Sequence, residues 1–234
     1  MKIRFLGTNH GMEDSKTNKN RQCILIESAG RSYIFDAGAP VAEILEKEDY
    51  DLSRIKGIFI SHRHTDHLLY LAQLCENKSI NAKIYLPDDE QMARYSKEYD
   101  RRFFKICEGN FYNDLFMKVS SVKTKHLIDW EGNSICHGFL VEAEGKRVHI
   151  TSDMTPELID FPKYLEKGEA VDMIVSECAH PEISGLFEKF DSCNAERIAV
   201  IHVYPEERYD ELNSRMGKNS FELLLPADGD EFII

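Results

Sequence analysis

At residue 61 the chain changes character abruptly, and that break limits its fold more than anything else in the sequence. The run Ile55–Ile60 is almost continuously apolar, then gives way to Ser61-His62-Arg63-His64-Thr65-Asp66-His67. A segment apolar on both faces reads as an interior strand of a covered sheet. The stretch after it carries four side chains able to ligate a metal within six residues, and no regular helix or strand aims four such neighbours one way. On a loop leading into a helix at Leu68–Cys75 they can converge on two adjacent points, which is what a two-metal centre requires. Imidazole suits zinc or iron, and the carboxylate adds a harder oxygen ligand. Three of the nine histidines fall in this window, while His10, His126, His137, His149, His180 and His202 stand singly. A histidine-rich surface turn accounts poorly for that clustering.

The rest of the chain alternates short strands with helices and shows no sequence repeat or Pro/Gly/Ser linker, so one domain spanning residues 1–234 is expected. Strands are read at Lys2–Gly7, Gln22–Ser28, Ser32–Asp36, Lys83–Leu86, Leu115–Val122, Ile135–Ala143, Arg147–Ser152, Val171–Ser176, Ile198–Val203, Phe221–Leu225 and Glu231–Ile234. Helices are read at Val41–Lys47, Asp88–Lys97, Pro156–Glu166 and Glu206–Ser214, the third with proline in its first turn. Two sheets face to face with helices outside would bury all of this, an α/β four-layer αββα sandwich.

Composition limits the partners. The formal net charge is −12 and the basic residues are dispersed, which disfavours a grip on long nucleic acid. A small anionic substrate is not excluded, because bound cations supply positive field locally. No apolar run reaches the roughly 18 residues of a membrane helix, and the N-terminus reads as a first strand, not a signal peptide. A cytoplasmic location is expected. The six cysteines form no C-x-x-C pair and read as free thiols.

His62-x-His64-x-Asp66-His67 is similar to the signature of the metallo-β-lactamase-fold hydrolases, and further positions follow in order. Ile34-Phe35-Asp36-Ala37-Gly38 resembles the family's first motif, His126 the third, Thr151-Ser152-Asp153 the fourth and Ile201-His202-Val203 the fifth. Taken singly, His126 reads as a loop histidine, Asp153 as a strand-ending turn and His202 as a core histidine. The resemblance implies instead that His62, His64 and His126 hold one metal, that Asp66, His67 and His202 hold the other, and that Asp153 bridges them. Asp36 would orient ligands by hydrogen bonding. The implied cofactors are two divalent ions, zinc first, with manganese or iron(II) as alternatives. His137 and His149, each inside a strand, read as structural.

Phe5-Leu6-Gly7-Thr8 and Ser176-Glu177-Cys178-Ala179 resemble the RNase Z-like phosphodiesterase branch, where a glutamate paired with a histidine assists leaving-group protonation. Glu177 matches; the histidine is absent from its usual later place, and His180 is the nearest candidate. Asp66, Glu177 and His180 are therefore the expected catalytic residues. Only 26 residues separate His126 from Asp153, which leaves no room for the tRNA-gripping arm of RNase Z. A metal-activated hydroxide attacking a small phosphodiester (a cyclic nucleotide, cyclic phosphate or short oligonucleotide) is the expected chemistry. A carbonyl hydrolase on the same metals, and a non-catalytic metal-binding or sensor protein, are the alternatives. His10, in the loop Thr8–Gly11, reads as loop decoration or as a lining residue. The aromatic-rich stretch 88–113 reads as a cap, a homodimer contact or a helix packed on the core.

Overall fold

Apolar segments of the sequence become the strands of two seven-stranded mixed sheets, one in each of two units of this computed structural model, which describes residues 1–12, 15 and 18–234. The first unit comprises Met1–Cys107 and Ala227–Ile233, the second Glu108–Pro226 and Ile234.

In the first unit, β1 (Lys2–Gly7), β2 (Cys23–Ser28) and β3 (Arg31–Phe35) form an antiparallel meander. Helix α1 (Val41–Glu46) then leads to β4 (Ile55–Phe59), parallel to β3. Short helices α2 (Thr65–Leu68) and α3 (Leu71–Glu76) return the chain to β5 (Lys83–Leu86), and α4 (Glu90–Glu98) to β6 (Phe103–Lys105), both parallel additions. The expected single helix Leu68–Cys75 is thus two pieces. Leu71, Leu74, Val41 and Leu45 pack with Ile34, Ile58 and Ile84 in a helix-on-sheet core. Tyr95, Met92 and Phe103 join it, so the aromatic face of α4 is a packing face. Asp89 starts this helix by accepting from the Gln91 and Met92 amides.

The second unit repeats the plan. Strands β7 (Gly109–Asn113), β8 (Lys118–Ile128), β9 (Ser134–Ala143) and β10 (Lys146–Ile150) are antiparallel. After α5 (Lys163–Glu166) come β11 (Val171–Cys178), α6 (Ile183–Ser192), β12 (Ala195–Val203), α7 (Arg208–Arg215) and β13 (Glu222–Leu224), whose strands run parallel to β10. The last strand, β14 (Glu231–Ile233), pairs with β1 in the first unit's sheet.

Two expectations are corrected here. The helix read at Pro156–Glu166 shrinks to Lys163–Glu166, because Pro162 cannot sit inside a helix and stands instead at its N-cap with an extended backbone. Helix α6 was not read at all, although Ile183, Leu186, Phe187 and Phe190 bury one face at helical spacing. All six cysteines are free. Among the described residues no helix is long and apolar enough to cross a membrane.

Candidate metal centre

Parallel strands end together, and loops beyond their carboxyl ends are where open α/β sheets place ligands. Strands β3 and β4 lie side by side, so Asp36 and Ser61-His62 leave the first sheet at one edge, and the Asp36 amide donates to the Phe59 carbonyl (2.9 Å). The histidine-rich segment is pinned there. The Ala37 amide donates to the His67 carbonyl (2.7 Å) and the Tyr70 amide to the Ala37 carbonyl (2.8 Å).

Asp36 organises the side chains. Its Oδ1 accepts from the Ser61 amide (2.7 Å), and its Oδ2 from Gln22 Nε2 (3.0 Å), Ser61 Oγ (3.0 Å) and His67 Nδ1 (2.8 Å). Ser61 Oγ in turn lies 3.0 Å from His62 Nδ1. These contacts assign the ring protons to Nδ1 and point Nε2 of His62 and His67 away from the carboxylate. His62 Nε2 sits 3.0 Å from His64 Nδ1, and His67 Nε2 sits 3.5 Å from Asp66 Oδ2. Two ligands of a tetrahedral ion with bonds of roughly 2.0–2.1 Å stand roughly 3.3 Å apart, so both pairs have the spacing of atoms sharing a cation. Asp36, expected to orient ligands, bonds His67 directly and reaches His62 through Ser61.

The loop Thr8–Gly11 reaches the same segment. A Cβ on Gly11 would lie 2.7 Å from the Asp66 carboxylate, and one on Gly38 only 2.1 Å from the Asp66 carbonyl oxygen, so both positions need glycine for close approach. His10 is buried, with Nδ1 accepting from the Met12 amide (3.0 Å). Asp228 fastens this loop through Thr8 and the Lys19 and Asn20 amides.

In the second unit β10, β11 and β12 are parallel neighbours, and Asp153, Glu177-His180 and His202 follow at or just beyond their carboxyl ends. Asp153 presents its two oxygens to different rings: Oδ2 lies 3.5 Å from His126 Nε2, and Oδ1 lies 3.7 Å from His202 Nε2. That is the arrangement of a carboxylate able to serve two ions. His126 reaches it from β8, which runs on to Ile128 past a register shift, so this histidine is a strand residue and not a loop one. Thr124 Oγ1 donates to the Asp153 carbonyl (2.7 Å), and Asp160 accepts from the Lys125 amide (2.6 Å) and from Thr155 Oγ1 (2.8 Å). Thr124 and Asp160 were not singled out from sequence; only their nearness to His126 and Asp153 in the chain could have suggested them.

Glu177 is buried and fully engaged. Its oxygens accept from the Met154, Ala179 and His180 amides (2.8, 2.8 and 3.0 Å) and from His180 Nδ1 (3.0 Å to both). The His180 ring stands 4.4 Å, centroid to centroid, from His126, with Nδ1 3.9 Å from Asp153 Oδ2. His137 and His149 stay within the sheet, bonded to Ser121 Oγ (2.8 Å) and Tyr164 Oη (2.7 Å). Burial pushes their pKa values down to about 4 and about 3, which keeps both rings neutral.

Three non-glycine residues at these strand ends, Asp36, Ser152 and His202, have left-handed backbones (φ 60°, 54° and 54°). Such conformations cluster where a site dictates the backbone.

A family model described as Anti-Pycsar protein Apyc1 matches residues 1–89. The metallo-β-lactamase fold protein YhfI from Bacillus subtilis superposes with a TM-score of 0.78 at 14% identity, covering 99% of each chain. The chain has the metallo-β-lactamase fold. A second structure of that fold, a diphosphatase from the PhnP family, gives a TM-score of 0.73 at 13% identity over 100% of this chain and 97% of that one. In sequence this metallo-β-lactamase-fold chain is RNase Z-like: the ribonuclease Z of Borrelia hermsii (strain HS1 / DAH) is 26% identical over 211 residues, 80% of this chain and 63% of that protein. The chain spans 45% to 63% of the length of the first curated relatives it matches. Its histidine and aspartate donors could hold divalent metal.

Proposed function

We propose that this chain is a dinuclear metal-dependent phosphodiesterase acting on a small phosphodiester, working as one metallo-β-lactamase-like domain over residues 1–234. The observation that carries the reading is Asp153, whose two oxygens address two different imidazoles. On this reading His62, His64 and His126 would hold one ion, Asp66, His67 and His202 the other, and Asp153 would serve both. The donor set, five imidazoles and two carboxylates, suits zinc, with manganese or iron(II) as alternatives. Bound there, a divalent pair supplies an activated water near neutral pH and positive charge for the phosphoryl oxygens.

The protein's own part is positioning and proton transfer. As water oxygen bonds to phosphorus and the ester P–O bond breaks, the leaving oxygen needs a proton. His180 is placed to give it: Glu177 accepts from Nδ1 and stabilises the charged ring, leaving Nε2–H to donate. The absent arm and the acidic balance support a cyclic nucleotide, cyclic phosphate or short oligonucleotide over tRNA.

Parallel turnover assays on bis(p-nitrophenyl) phosphate, cyclic nucleotides, a thioester and an acyl-lactone test the reading. Metal-dependent phosphodiester cleavage is expected; activity confined to the acyl compounds would make the chain a carbonyl hydrolase. In the His64→Ala variant, turnover and one equivalent of metal are lost while the fold survives, since the core is independent of the site. Full activity in that variant refutes the ligand assignment.

A further inference from the structure

The second unit contains a cavity of about 490 Å³ that the proposed reaction does not use. Its size lies in the range of small-molecule sites, roughly 300–1,000 Å³. Lys123, Lys125 and Lys163 line it, and the side chains of Ile159, Phe161 and Tyr164 give it an apolar wall. Lys123 and Lys125 are exposed residues two apart on β8 and so share one face of the strand, while Lys163 begins α5. Among the described residues none of the three ammonium groups has an ion-pair partner.

The lining also includes two carboxylates, and they are not equivalent. Asp160 is buried, and its oxygens already accept from the Lys125 amide and from Thr155. Glu108 is exposed at the start of the unit. In a chain of net charge −12, three lysines against two carboxylates around one cavity are a local excess of positive charge. Lys105, Lys118, Lys146 and Lys189 hold carboxylates. The three cavity lysines are among those that do not, and what distinguishes them is that they meet around one cavity.

We propose that this cavity is a binding site for a small organic phosphate of mononucleotide size. The lysines would take the phosphate as point charges, and the Ile159, Phe161 and Tyr164 side chains would cover the flat apolar part. The site is built from the second unit alone and does not rest on the phosphodiesterase reading.

Isothermal titration calorimetry of the full-length, zinc-loaded protein with adenosine 5′-monophosphate tests it. A saturable site is expected in the wild type, weakened about tenfold or more in Lys123→Glu/Lys163→Glu, as loss of charge-assisted contacts implies. Circular dichroism confirms that this surface variant is folded, and Lys163→Met, which keeps the length without the charge, should give an intermediate loss. Binding that persists in His64→Ala but falls in the lysine variants supports the cavity even if no phosphodiester is turned over. No saturable binding, or binding unchanged by the lysine substitutions and lost in His64→Ala, overturns the proposal.

Discussion

Replacing Asp36 with asparagine isolates what its carboxylate does, because shape is kept and only one oxygen becomes an amide. Asp36 is buried and accepts four hydrogen bonds, three of them on Oδ2. The asparagine oxygen can keep the bond from the Ser61 amide. Its NH2 group then faces Gln22, Ser61 and His67, all donors in the wild type. His67 has one escape: it moves its proton to Nε2 and accepts on Nδ1. That tautomer covers the atom meant for the metal. Loss of such an orienting partner lowers metal affinity by about 10- to 100-fold, or about 1.4–2.7 kcal/mol. The two donors left without an acceptor cost about 1–3 kcal/mol each, an appreciable share of a typical stability of about 5–15 kcal/mol. Chelator competition for zinc and urea unfolding of the metal-free protein read the two effects separately. A folded Asp36→Asn protein with wild-type zinc affinity would refute the assignment of the His67 proton.

Further outcomes follow from the same geometry. His180→Ala should lower kcat about 10²- to 10⁴-fold with metal content intact, measured by steady-state kinetics alongside metal analysis, and a loss of metal instead would make His180 a ligand. Gly38→Ala pushes a methyl into the Asp66 carbonyl oxygen at 2.1 Å, so it should destabilise the fold by about 1–3 kcal/mol and cut turnover on the order of 100-fold. His149 titrates near 3 when folded and near 6.5 when unfolded, so between those values only the unfolded chain takes the proton. Its contribution to stability therefore falls as the pH drops below about 6.5, and the advantage of wild type over His149→Gln in urea should shrink from about pH 7 to about pH 5. An advantage constant with pH would mean that the ring takes its proton as readily in the fold as in the unfolded chain.

Local signals in the sequence carried far. The apolar run before Ser61 and the histidines after it are adjacent in the chain, and the structure keeps strand, turn and cluster as expected. His126 is a candidate only through resemblance, because its strand continues past a register shift that no alternation of apolar residues announces. Thr124, Asp160 and Gln22 escaped notice for a related reason. Their importance lies in what they touch, and single polar residues carry no periodicity. The misread helix before Glu166 shows a different failure, in which the proline at its start outweighed Pro162 in its middle. Helix α6 carries a helical apolar spacing in its sequence, weakened as a signal by Gly185 in its first turn.

Ser152 bears on how this molecule responds to selection. Its backbone is left-handed without the tolerance that aspartate and histidine show, and its buried hydroxyl has no hydrogen-bond partner among the described residues. Glycine at that position would relieve both burdens, yet it would also loosen the peptide that aims Asp153. Thermal robustness and catalytic readiness pull this residue in opposite directions. A library screened only for heat resistance should drift to glycine there, and one screened for turnover should keep the serine.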